Sequence, residues 1–308
     1  MNAMNRVAGT VVMAALVFCT GLRAETPKPA ASGKASVTVT AIGKKDTAPP
    51  AISANDVQLT VGKERKQPAS WDKGGPLGLA ILIDESLDTT AAGQWDDLRN
   101  FIMAQPADTS IAVGYISNSS AMIAQDFTTD HALAAKALRI TRGVNGIGSS
   151  PYLGVLDLLK RWESNGGRRS ILLISSGIDT FRGSWGPIYP DVDSVVSQAE
   201  KQNVNIWSIY YPIAGRRQRV FALSNLGQNN LSKLTDETGG ELLALGFGPP
   251  VSLKPYLDDL KLRLSNQYLL TFAADGGTKG KFTGLRLKTE LPDVEFSHAS
   301  SAWVAPAK

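Results

Sequence analysis

The chain has 308 residues, of which 43% are hydrophobic and 19% are charged, and its formal net charge is +4 at pH 7. This composition is typical of a globular protein that can bury a large apolar core. The charge falls by two when an N-terminal segment holding Arg6 and Arg23 is removed. A nearly neutral chain argues against nucleic acid as an electrostatic partner.

Residues 1–24 have the pattern of a secretory signal peptide. Arg6 supplies positive charge, an apolar run follows at 11–18, and the small-residue site at 22–24 predicts cleavage before Glu25. The apolar run is too short to cross a bilayer, which takes about 20 residues. We therefore expect a periplasmic or secreted bacterial protein whose mature chain does not span a membrane.

The only cysteine, Cys19, lies inside this segment. A lipoprotein anchor is the alternative to simple cleavage, but Phe18 stands where such an anchor has a small residue. Without Cys19, the mature chain has no cysteine and can form no disulfide.

The mature chain begins with polar sequence and then turns to β-structure. Residues 25–35 are rich in Pro, Ala, Lys and Ser and are predicted as a disordered linker. An N-terminal β flank at 36–70 follows. It holds a strand that alternates with period two at 35–42 and a second strand at 57–61.

From residue 77 the pattern changes to alternating strands and helices. Strands are predicted at 79–83, 110–116, 121–127, 170–175, 204–210 and 242–245, and helices at 92–103, 130–139, 151–163, 191–202 and 231–238. This order predicts an α/β fold, a doubly wound and mostly parallel sheet with helices on both faces, over residues 77–248.

The remaining segment, 249–308, is predicted as a helix followed by a C-terminal β flank. The helix is expected at 253–264 and the strands at 267–273, 283–289 and 301–304. Each flank is too short to make a good sheet alone. We therefore expect the flanks to pair with each other, as a small sandwich or an added sheet into which the α/β domain is inserted.

Oxygen-bearing side chains follow the buried strand at 79–83. Asp84, Ser86 and Asp88 alternate along the chain at what should be the carboxyl edge of the sheet, where open α/β sheets bind ligands. Three such oxygens in one crevice would suit a hard divalent cation such as Mg²⁺. The alternative is a plain strand-to-helix turn in which Ser and Asp cap the helix.

Two further loops carry similar residues. Ser150 follows a glycine-containing segment and precedes a predicted helix, and Ser176 and Asp179 follow the apolar strand at 171–174. The three loops together resemble the von Willebrand factor type A family. In that family a metal-ion-dependent adhesion site uses Asp-x-Ser-x-Ser, a Thr and an Asp from three such loops.

The resemblance covers about 77–245 and implies a Rossmann-like von Willebrand A fold. The flanking segments at 56–61, 268–270 and 282–287 are similar to those of exported bacterial von Willebrand A-related proteins of the acidobacterial type.

The resemblance implies a metal site, but the match is imperfect. Asp88 stands where the family has Ser, Ser150 where it has Thr, and Ser176 where it has Asp. The carboxylate gained at Asp88 would offset the one lost at Ser176, or Asp179 would swing in; the alternative is a decayed site that keeps only the scaffold. The implied ligands of a Mg²⁺ or Mn²⁺ ion are Asp84, Ser86, Asp88, Ser150, Ser176 and Asp179.

A working site of this kind would leave one position of the ion open for a carboxylate of a partner protein. The loop at 180–190 would form the rim, since exposed aromatic and arginine side chains favour interfaces. The alternative is that its aromatic side chains only hold a long loop against the domain. The residues expected to contact the partner are Phe181, Arg182, Trp185 and Tyr189.

No catalytic motif supports an enzyme. His131 and His298 are the only histidines, and their placement does not suggest a shared triad. The chain is therefore predicted to be an exported protein-binding module. The alternatives are a structural or assembly component of an envelope complex with a decayed metal site and, third, a metal-dependent hydrolase. Basic clusters at 168–169 and 216–219 are predicted to be solvated edges or turns.

Overall fold

Strands and helices follow the predicted order, with a β-rich flank on either side of an alternating α/β region. The computed structural model describes residues 33–44, 47–143, 149–163, 167–181, 190–212, 221–244, 246 and 248–306, so the predicted signal peptide lies outside them. The strands are β1 Gly33–Gly43, β2 Gln58–Val61, β3 Glu64–Lys66, β4 Ser70–Lys73, β5 Leu77–Asp84, β6 Ser110–Ser117, β7 Ser120–Thr128, β8 Arg168–Ser175, β9 Val204–Tyr210, β10 Gln267–Ala274, β11 Lys281–Lys288, β12 Val294–His298 and β13 Ser301–Val304. The helices are α1 Trp95–Met103, α2 His131–Lys136, α3 Pro151–Arg161, α4 Pro190–Gln202, α5 Phe221–Glu237 and α6 Lys254–Ser265.

The central sheet has the order β7-β6-β5-β8-β9. Its pairings are parallel except at one edge, where β7 runs antiparallel to β6. Every residue of β5, β8 and β9 is buried, as expected for strands covered on both faces. Helices α1, α2 and α6 pack on one face and α3, α4 and α5 on the other. The predicted doubly wound, mostly parallel α/β fold is confirmed.

Two predicted elements differ from the structure. Helix α5 starts at Phe221, ten residues before the predicted start, and its first turns bury polar side chains that hide the apolar period. The strand predicted at 242–245 is not formed over 242–244, the part of it that the structure describes. It is a single bridge in the described residues, in which Ser208 bonds to Glu241 and Leu243 through the backbone.

The two β flanks form a sandwich of two four-stranded sheets, with orders β12-β1-β10-β4 and β13-β11-β2-β3. β1 pairs antiparallel with β10, and β2 pairs antiparallel with β11, so each sheet combines both ends of the chain, as predicted. Apolar side chains from both sheets meet in one core, among them Val39, Leu59, Leu270 and Val304. β1 already begins at Gly33, inside the predicted linker. The short, largely polar strands β3, β4 and β12 were not predicted.

The basic pair at 168–169 is buried, and its prediction as a solvated edge is wrong. The Arg168 guanidinium donates to the carbonyl of Leu264 at 2.8 Å, to Oε1 of Gln267 at 3.1 Å and to the carbonyl of Gly75 at 2.8 Å. These three acceptors belong to the segments that join the central sheet to the sandwich. Arg168 therefore links the two layers, a role that local sequence does not reveal. The cluster at 216–219 lies outside the described residues.

His298 lies where β12 meets β11. Its Nε2 accepts the backbone N–H of Leu287 at 3.3 Å, and its Nδ1 bonds the carbonyl of Ala299 at 2.7 Å. This pattern requires a neutral ring, because protonation would place a second donor against the Leu287 N–H. Burial lowers the pKa of His298, and the bond to Ala299 opposes that shift.

The stability of the protein should therefore fall in mildly acidic solution. The unfolded chain keeps a His298 pKa near 6.5 and binds its proton at a higher pH than the folded chain. The contribution of the neutral ring is complete above about pH 6.5 and is lost as pH falls from there towards the lower folded pKa. The urea midpoint should drop between pH 7.5 and 5.5.

His298→Gln should remove most of this pH dependence, whereas His131→Gln is the matched control and should retain it. An equally steep loss of stability in His298→Gln would contradict the assignment.

Candidate functional site

The three polar loops are numbered in chain order, the first at 84–88, the second at 146–151 and the third at 175–179. Asp84 ends β5 and joins the first and third loops at the carboxyl edge of the sheet. Its Oδ1 accepts the backbone N–H of Ser86 at 2.9 Å and the Ser86 hydroxyl at 2.7 Å. Its Oδ2 accepts the hydroxyl of Ser175 at 2.8 Å. Burial raises the pKa of the Asp84 carboxyl, and these hydrogen bonds oppose the shift. Both oxygens of this carboxylate therefore accept hydrogen bonds from neighbouring groups of the protein.

Asp88 acts as a cap, which is the alternative that the sequence left open. Its Oδ1 accepts the backbone N–H of Thr90 at 2.9 Å and the Thr90 hydroxyl at 2.7 Å, at the start of the 3-10 helix Thr89–Gln94. These bonds lower the pKa of the Asp88 carboxyl. The Asp88 backbone N–H donates to the carbonyl of Pro212 at 3.3 Å, beyond the end of β9. The Asp88 carboxylate thus caps the turn that directly follows it.

Ser150 and Asp179 join the second and third loops. The Ser150 hydroxyl donates to Oδ2 of Asp179 at 2.7 Å and also accepts the backbone N–H of Leu153 at 3.3 Å, which caps α3. Oδ1 of Asp179 accepts the backbone N–H of Phe181 at 2.8 Å. Both side chains are buried, so this pair fixes how the two loops meet.

Ser176 lies in a tight turn against α5. Its hydroxyl is fully buried and accepts the backbone N–H of Ile178 at 3.3 Å. The next residue, Gly177, has a φ of +67°, which glycine adopts without steric cost. A Cβ at Gly227 of α5 would overlap the carbonyl oxygen of Ser176, so the two backbones touch here.

Phe181 is the one predicted rim residue among those that the structure describes, and it is 51% exposed. It is held near the second loop through its neighbour Thr180, whose backbone N–H donates to the carbonyl of Ser149 at 2.8 Å. The backbone N–H of Ser149 donates in turn to the Thr180 hydroxyl at 3.1 Å. The other predicted contact residues, Arg182, Trp185 and Tyr189, lie outside the described residues.

A polar crevice of about 230 Å³ opens at this edge of the sheet. It is lined by Glu85, Ser86, Ile116, Ser117, Asn118, Arg142 and Ser149. Of the predicted site residues only Ser86 lines it, so the crevice is formed mainly by residues that sequence reasoning missed.

Glu85 is the most informative of the missed residues. Its Oε1 pairs with the guanidinium of Arg139, which also lies over the ring of Tyr115 at 3.8 Å. Its Oε2 accepts the backbone N–H of Arg142 at 2.9 Å. The sequence position of Glu85 could have revealed it, because an acid directly after a fully buried strand needs a cationic or N–H partner.

The arrangement does not fit the implied divalent ion. The carboxylates of Asp84, Asp88 and Asp179 each accept hydrogen bonds from protein groups, and Ser176 contributes no charge. In the part of the chain that the structure describes, no three His, Cys, Asp or Glu side chains form a group that could hold a metal. Mg²⁺ needs near-octahedral oxygen ligands, and these side chains as placed do not supply them. The six-residue metal site remains a sequence prediction.

No protein-family model and no curated protein matches the chain. Among solved structures, it is similar to an aerotolerance-related membrane protein from Bacteroides fragilis (11% identity, 61% of this chain and 98% of that chain, TM-score 0.46). It is also similar to the vWF domain of the type V pili tip protein Mfa5 from Porphyromonas gingivalis (13%, 60% and 94%, 0.43). A third similar structure is the manganese-loaded TRAP protein from Plasmodium vivax (10%, 80% and 98%, 0.41).

The sheet order and the loops at its carboxyl edge agree with the von Willebrand A-like fold that the sequence predicts.

Proposed function

We propose that the protein is an exported von Willebrand A-like module that binds a partner protein at the carboxyl edge of its parallel sheet. The observation that carries the proposal is the polar crevice bounded by the first and second loops at this edge. Ligands of open α/β sheets bind at this position. The proposed role of this edge is recognition of a partner and not turnover of a substrate.

The described parts of the loops around the crevice are joined by hydrogen bonds. Asp84 binds Ser175, Ser150 binds Asp179, and the backbone of Ser149 binds Thr180. A surface that is already ordered loses less conformational entropy when a partner binds. This supports a binding surface whose described part does not have to fold on contact.

Phe181 is exposed, and the residue before it, Thr180, bonds to Ser149, which lines the crevice. Aromatic side chains, phenylalanine among them, are enriched at protein interfaces. The signal-peptide pattern at 1–24 supports an encounter outside the cytoplasm. Among the described residues, no helix has the length and hydropathy needed to cross a membrane.

Site-specific photo-crosslinking in the producing bacterium tests the proposal. A photoreactive phenylalanine analogue at Phe181, or at Ser117 on the crevice wall, should give a discrete adduct with one partner. Matched positions on exposed surfaces away from this edge, Lys160 at the end of α3 and Arg286 on β11, should not.

Adducts at Arg286 without adducts at Phe181 and Ser117 would contradict the proposal. They would favour the alternative, an assembly component that uses its β flanks.

A further inference from the structure

We propose that the crevice takes a carboxylate of the partner through the guanidinium of Arg142, without a metal ion. This inference rests on the proposed function and names the chemistry of the group that is recognised. Arg142 would then supply the positive charge that an ion supplies in the family that the chain resembles.

The charges on the crevice wall favour an anion. Glu85 is the one acid of the lining, and it is paired with Arg139 and with the backbone N–H of Arg142. The Arg142 guanidinium is exposed and makes no hydrogen bond or ion pair with any residue that the structure describes. The wall therefore carries one positive charge that no group in the described part of the chain neutralises.

The backbone of Arg142 is held in place. Oε2 of Glu85 holds its backbone N–H at 2.9 Å, and Glu85 is itself buried and held by Arg139. The preceding residue, Thr141, is buried and its hydroxyl donates to the carbonyl of Leu87 at 3.4 Å. A guanidinium on a fixed backbone loses less entropy when it binds a carboxylate, and it can donate two parallel N–H bonds to it.

Neutral donors complete the wall. Ser117, Asn118 and Ser149 carry hydroxyl or amide groups at the crevice. Ser149 directly precedes the cap of the eleven-residue helix α3, whose N-terminal backbone dipole also favours negative charge. The volume of about 230 Å³ leaves room for one short acidic side chain and some water.

The same features disfavour a metal. A divalent ion near Ser86 would lie in the crevice that Arg142 also lines, and like charges at this range repel. The carboxylates that would have to balance the ion, Asp84 and Asp179, already accept hydrogen bonds from hydroxyl groups.

Binding of a capped glutamate tests the inference. The protein purified after export is titrated with acetyl-glutamate amide in the presence of EDTA, and backbone amide NMR shifts are followed at Asn118 and Ser149. We expect saturable shifts with this probe and none with the neutral acetyl-glutamine amide. Arg142→Gln should weaken binding about tenfold or more, because a charge-assisted bond is lost.

Arg286→Gln removes an exposed arginine of the sandwich and should bind the probe as the native protein does. Equal urea midpoints for the two variants would show that Arg142→Gln is folded. Binding that needs Mg²⁺ or Mn²⁺, binding that survives in Arg142→Gln, equal binding of the glutamine probe, or no saturable shift would each overturn the inference.

The two proposals fail in different ways. If Phe181 still crosslinks to a partner while the glutamate probe does not bind, only the carboxylate inference falls. If the probe binds but neither edge position crosslinks to a partner, the proposed function falls and with it the partner as the source of the carboxylate, whereas the carboxylate site at Arg142 stands.

Discussion

Replacing Gly227 with alanine should destabilise the native state by about 3 kcal/mol or more, the upper range for overpacking. A Cβ at this position of α5 would overlap the carbonyl oxygen of Ser176, which is backbone and cannot rotate away. The opposing residue, Gly177, is equally constrained, since its own Cβ would overlap the Gly227 carbonyl. Either α5 moves away from the sheet edge or the Ser176 turn shifts. The measurement is the free energy of unfolding in urea.

The control is Gly93→Ala, because a Cβ at Gly93 meets nothing within 4 Å. Its stability should stay within about 0.5 kcal/mol of the native value. A Gly227→Ala variant as stable as Gly93→Ala would show that α5 does not pack this closely on the turn. If Gly227→Ala folds, the displaced turn should also alter the amide shifts of Ser149 and Phe181.

Arg168→Met should destabilise the protein by about 2–4 kcal/mol, because three acceptors lose a charged donor in a buried place. These acceptors are the carbonyls of Gly75 and Leu264 and the amide oxygen of Gln267. They lie where the central sheet joins the sandwich, so the unfolding transition should also broaden as the two layers lose their coupling. Urea unfolding followed by tryptophan fluorescence measures both effects.

Arg168→Lys should give an intermediate loss, because an ammonium group keeps the charge but cannot span the same acceptors. The matched control is Arg99→Met, which removes an exposed arginine paired with Asp96 and should cost less than about 1 kcal/mol. An Arg168→Met variant no less stable than Arg99→Met would show that the link contributes nothing to the junction.

Much of the fold is predictable because the signals that carry it are local. The continuous apolar runs of β5 and β8 are typical of strands buried on both faces, and both are fully buried in the structure. The period-two pattern at 35–42 likewise predicts β1. Strands such as β3 and β4 are short and polar, and tertiary pairing, not local pattern, makes them strands.

The candidate site is less predictable. The sequence correctly places Asp84, Ser150 and Asp179 at one edge of the sheet, where they bind each other or a neighbouring loop. It does not show where each carboxylate points. The Asp88 carboxylate caps its own turn, because Thr90 offers two donors two residues away. Whether the carboxylate makes these local bonds or points into the crevice depends on the backbone conformation.

The sequence by itself determines the α/β order, the pairing of the two β flanks and the edge at which polar loops gather. Hydrophobic period and turn chemistry specify the order of elements within short segments, and the flanks are expected to pair because neither is long enough to make a good sheet alone. Only the tertiary structure decides that Arg168 is buried, that Glu85 pairs with Arg139, and that Arg142 lines a crevice with Ser149. These contacts join charged side chains to groups from segments that are distant in sequence. A buried charge needs a partner nearby in space, and local sequence does not show which group that will be.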